Sequence, residues 1–116
     1  MNKANLFMDI LATYRKHAWE LRGALLQPET RAELRELVED VPVKEAEFDA
    51  LWFSRPSHSN REAWELRLLA QTQYALFETF EADETEEERE DVKLEMEARL
   101  REYVAKPGLG NGDSAP

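Results

Sequence analysis

Apolar residues recur along the chain with two different periods, and the change of period marks out the elements. Leu6, Phe7, Ile10, Leu11 and Tyr14 fall three and four residues apart, the stripe of an amphipathic helix that Asn2 or Asn5 can cap. Over 19–26 the pattern alternates at first, which predicts a strand. A second helix starts at Pro28, whose missing N–H suits a first turn. It carries Leu34, Leu37, Val38 and Val41 on one face until Pro42 stops it.

Ala46, Phe48, Ala50 and Trp52 then alternate with mostly acidic residues, and a strand is expected over 48–55. Residues 43–50 are also good helix material, so strand and helix both stay open there. Turn chemistry fills 56–60. A strand over 63–70 alternates Trp64, Leu66 and Leu68 with Glu65, Arg67 and Leu69. Gln71, Thr72 and Gln73 form a short connection to a third, aromatic-rich strand over 74–81.

The last helix is signalled by Thr85 with Glu88 three residues on, the spacing of a capping box. Six acids over 84–91 sit where a helix dipole favours negative charge. Val92, Met96, Leu100 and Tyr103 supply its buried row, with Glu95/Arg99 and Glu97/Arg101 spaced as i, i+4 ion pairs. The glycines and prolines of 106–116 predict a flexible tail.

The order α-β-α-β-β-β-α describes an α+β fold, one domain over 1–105. Three strands with such short links form an antiparallel meander, with helices packed on at least one face. A single helix over 61–80 is the rival, but Trp64, Leu66, Leu68 and Leu69 do not keep a helical stripe. Pairing Trp52 with Leu66 places Phe48, Ala50 and Trp52 beside Trp64, Leu66 and Leu68 as one apolar face. Pairing Ala70 with Ala75 then sets Leu68 against Phe77 and Arg67 against Glu78. The second face would hold Leu51, Phe53, Leu69, Tyr74, Leu76 and Phe80 around Arg55, Glu65, Arg67 and Glu78. That is too apolar for water, so a helix, a partner or a second copy must cover it.

Composition narrows the function. In 116 residues, acids outnumber bases 25 to 15, for a net charge of −10. Such a surface is unsuited to nucleic acid or anionic lipid. With no cysteine, and with His17 and His58 the only histidines, neither disulfides nor a multi-histidine metal site is expected. No apolar run approaches a membrane span and no secretory leader is visible, which points to the cytoplasm.

His58 in Ser57-His58-Ser59 has the residue types of a nucleophilic site without the strand–turn–helix that would poise one. No catalytic residue and no cofactor are therefore expected. His17 reads as a helix-end cation. The pentapeptide Ala-Trp-Glu-Leu-Arg occurs at 18–22 and 63–67 with unlike flanks, which argues for similar strands rather than duplication. Were they neighbours, their Glu and Arg residues would form a charged ladder.

The expected function is a non-enzymatic protein-interaction module, docking a partner or dimerising through an aromatic-rich sheet face or the 52–61 hairpin. Its binding residues would be Trp52, Phe53, Arg55, His58, Arg61, Arg67, Tyr74 and Phe80, the types that concentrate binding energy. Two alternatives stand beside it. Arg22, Arg55 and Arg67 could form an anion pocket of a ligand-binding domain or enzyme. Size, acidity and α+β character are also shared with toxin-immunity proteins and secretion chaperones, without a common motif. Charge is uneven: 51–77 carries a net +1 and 78–116 a net −8.

Overall fold

The computed structural model describes residues 2–106. The expected tail, apart from Lys106, lies outside them. Helix α1 (Lys3–Lys16) is capped by Asn2, whose side chain accepts from the Asn5 N–H at 3.0 Å. Strand β1 (Glu20–Leu26), helix α2 (Pro28–Leu34) and strand β2 (Val43–Glu45) form a parallel crossover unit. Strands β3 (Ala50–Pro56), β4 (Glu62–Leu68) and β5 (Ala75–Phe80) form the expected meander. Helix α3 (Glu86–Ala105) follows, with the full Thr85–Glu88 capping box. The sheet order is β2-β1-β3-β4-β5, mixed because β2 runs parallel to β1.

The fold is α+β, with helices on both sheet faces. On one, α1, α2 and the turns after it bury Phe7, Ile10, Leu34 and Val38 against Ala24, Leu26, Leu51 and Phe53. On the other, Met96 and Leu100 of α3 pack on Leu25, Trp52, Leu66 and Leu76. Trp52 pairs with Leu66, as the apolar pattern requires.

Three details differ from the sequence reading. Residues 43–50 split into β2 and an irregular approach, so β3 begins at Ala50 rather than at Phe48. Helix α2 ends at Leu34 and relaxes into turns, in which Val38 still bonds back to the Leu34 carbonyl and stays buried. The β4–β5 register is Leu66 to Leu76 and Glu65 to Phe77, three residues from the expected pairing. Its cause is Leu69. That residue stays tied to the β3 side through its N–H to the Asp49 carbonyl (2.8 Å) and lies fully buried under α1. The connection to β5 therefore consumes more residues, and an odd shift turns every β5 side chain to the opposite face.

Asp49 is the buried junction of this end of the sheet. Its carboxylate accepts from the Gln27 N–H (2.8 Å) and the Thr30 hydroxyl (2.7 Å) at the start of α2, and pairs with Lys3 of α1 (3.1 Å). Helix α1 closes in a reverse pattern, Trp19 N–H to the Tyr14 carbonyl and Ala18 N–H to the Arg15 carbonyl. Ala18 takes the left-handed conformation there (φ 71°), a position that favours glycine.

Two stability outcomes follow. Asp49→Ala strands Lys3 and the α2 donors, and should cost about 3–5 kcal/mol in chemical denaturation. Ala18→Gly should instead raise stability by about 1 kcal/mol, because it removes the left-handed penalty.

Candidate functional site

The α1–α2 layer does not reach the β5 edge of the sheet. Running from beneath α1 out to that edge, one row of the sheet reads Leu21, Phe53, Glu65, Phe77 in cross-strand register. Tyr14 of α1 lies over Phe53, with rings stacked at 4.1 Å, and its hydroxyl donates to the Glu65 carboxylate. Trp19 meets Tyr14 edge-on at 6.0 Å and Phe77 at 6.4 Å. The Arg55 guanidinium sits 4.7 Å from the Trp19 ring and donates to the His17 carbonyl. Phe77 ends the row 58% exposed, the most open large apolar side chain of the sheet.

Beside this row, a groove of about 500 Å³ runs between α1 and β5, lined by Asp9, Thr13, Tyr14, Glu65, Arg67 and Ala75. At its wall, Arg67 donates to the Leu68 and Thr72 carbonyls, which holds the β4–β5 connection. Burial raises the Tyr14 phenol well above its ordinary value, with the Glu65 hydrogen bond and negative charge adding and Arg67 opposing.

The eight expected binding residues do not gather on one surface. Phe53 lies beneath Tyr14 and is fully buried, while Arg55 reaches the exposed row and Arg67 the groove. Trp52 faces α3, where its indole donates to Glu97 at 3.3 Å. Tyr74 stacks on Tyr103 of α3 at 3.5 Å, and Phe80 is buried beneath Arg89. The register shift removes both from the second face, and Leu76 with them. His58 is exposed on a short 3-10 turn, His58–Asn60, and Arg61 pairs with Glu81 at 3.0 Å. The residues the sequence reading missed are Tyr14, Trp19 and Phe77. Trp19 could have been recognised as the apolar residue that follows a helix end.

The three arginines of the anion-pocket reading do not converge. Arg22 and Arg55 border an open groove of about 420 Å³ beneath the β3–β4 hairpin, whereas Arg67 lies in the α1 groove. Arg22 is engaged by Glu20 at 2.8 Å and by the Ser54 hydroxyl. The two Ala-Trp-Glu-Leu-Arg strands are separated by β3, so no charged ladder joins them. Among the described residues, no group of three acids or histidines could hold a metal, and no helix is long and apolar enough to cross a membrane.

No family model, curated protein or solved structure matches the chain. The row and groove themselves must therefore carry the functional argument.

The phenol gives a pH test. Its raised value means that the fold favours the neutral form, so Tyr14 contributes fully below about pH 10 and its contribution is lost as pH climbs beyond. Tyr14→Phe should lower stability at neutral pH by about 1–2 kcal/mol. It should also flatten the alkaline decline in denaturation midpoint relative to the unaltered chain.

Proposed function

We propose that the chain is a non-enzymatic protein-interaction module that docks another polypeptide on the surface formed by Arg55 and Phe77, which flank the buried Trp19 ring. The observation that carries this reading is Phe77, left 58% exposed at the end of an otherwise roofed aromatic row. Arginine is among the types on which interface energy concentrates, and Arg55 is already held in place by the Trp19 ring and the His17 carbonyl. A rigid aromatic site loses little side-chain freedom on binding. The docking surface is thus smaller than a whole sheet face and lies at one margin of it, where α1 stops.

The anion-pocket alternative has less support, because its arginines are occupied by carboxylates and carbonyls. The acidic, toxin-neutralising alternative is a special case of docking, in which the partner is basic.

The test uses the immobilised chain against an extract of its native host. At least one retained protein should fall by about tenfold with Phe77→Glu, a loss of roughly 1.4 kcal/mol or more in affinity. The variant should stay folded, with only a small fall in melting temperature, since the ring is exposed but the new carboxylate faces Glu65 across the strands. Identical retained sets from both proteins would sink the reading.

A further inference from the structure

The sheet has two edges, and they are unlike. Strand β2 is three residues long, too short to template another strand. Strand β5 is six residues long and, among the described residues, pairs only with β4. Its one charge is Glu78, paired with Trp64; it contains no proline, no lysine and no arginine, and its pairing with β4 runs without a break in register. Proline, lysine and a bulge are the commonest devices that blunt an edge.

Its free backbone groups can be assigned. The Leu68 N–H donates to the Tyr74 carbonyl at 2.9 Å, so this pair and those in step with it carry the β4–β5 ladder. The alternation of an antiparallel pair then turns the N–H and C=O of Ala75, Phe77 and Thr79 outward. Phe77 therefore presents an open ring and an open backbone at the same place.

Charge says what fits there. Over 78–91 the chain holds nine carboxylates and one arginine. Arg89 is engaged by Glu62 (2.9 Å) and the Glu81 carbonyl (2.8 Å). Asp83, Glu86, Glu87 and Asp91 have no ion-pair partner among the described residues, whereas Glu90 lines a cavity on the β1–β3 side of α3. A second copy would bring the same acids against this margin, whereas a basic segment would neutralise them.

We propose that β5 is completed by an extended, lysine- or arginine-rich segment of another protein, which adds as a sixth strand beside Ala75, Phe77 and Thr79 and seats an apolar side chain against Phe77. This rests on the docking reading above and names its partner's chemistry and geometry. Main-chain hydrogen bonds supply affinity, and alternate side chains supply selectivity.

The probe is a seven-residue peptide alternating lysine and valine, added to the full chain and followed by amide hydrogen exchange. Exchange at Phe77 and Thr79 should slow by about tenfold or more, and high salt should weaken binding by roughly the same factor. A glutamate-for-lysine peptide, and a lysine–valine peptide N-methylated on alternate amides, should leave those amides unprotected. Protection that survives N-methylation, or a basic peptide that leaves Phe77 and Thr79 exchanging freely, overturns the proposal. So does a peptide-free chain that sediments as a dimer with these amides already slow. A host partner lost with Phe77→Glu, together with no protection by the basic peptide, would leave docking standing and remove only strand addition.

Discussion

The Asp49 carboxylate is the point on which the layers of this protein are fastened. It lies 3% exposed and binds the first turn of α2 and the first residue of α1 together. The Asp49 carbonyl meanwhile takes the Leu69 N–H, and the Lys3 ammonium closes the circuit on the Leu69 carbonyl at 2.7 Å. A buried carboxylate is tolerable only with such a set of donors. With them, it fixes where β3 begins, how long β4 stays beside it, and where α1 lies over the sheet.

The opposite layer is fastened by a similar device. Glu97 of α3 is 8% exposed, and holds Lys44 of β2 at 2.8 Å and the Trp52 indole of β3. Arg101 turns to Glu47 at 3.4 Å and lies over Phe48. Helix α3 thus spends Glu97 and Arg101 on tertiary partners rather than on the i, i+4 pair their spacing suggests. An exposed helical pair contributes only a few tenths of a kcal/mol, so a well-placed partner across the layer wins.

What the sequence disclosed and what it hid divide along the same line. Local signals held: the Thr85–Glu88 capping box, the buried positions Met96 and Leu100, and the alternation that pairs Trp52 with Leu66. Signals that depend on distant contacts did not. The β4–β5 register rests on Leu69 reaching the Asp49 carbonyl, a contact without trace in the spacing of 71–73, and it decides whether Phe77 or Phe80 meets solvent. The repeated pentapeptide makes the point most directly. Trp19 looks toward α1 and Trp64 toward α3, because each strand takes its facing from its neighbours. The row that ends in the open Phe77 was therefore out of reach of any pattern, although its members were visible one by one.

The inequality of the two sheet margins also sets the stoichiometry of any strand-mediated complex. Head-to-tail growth needs a donor margin and an acceptor margin on the same molecule. Here one margin offers three residues and the other six, so a strand laid on β5 finds no matching platform at the far side to continue the series. An open strand in a small protein is ordinarily a seed for fibres. In this chain the short β2 margin cannot receive the β5 strand of a second copy, so the open strand is not matched by a means of growing head-to-tail on itself.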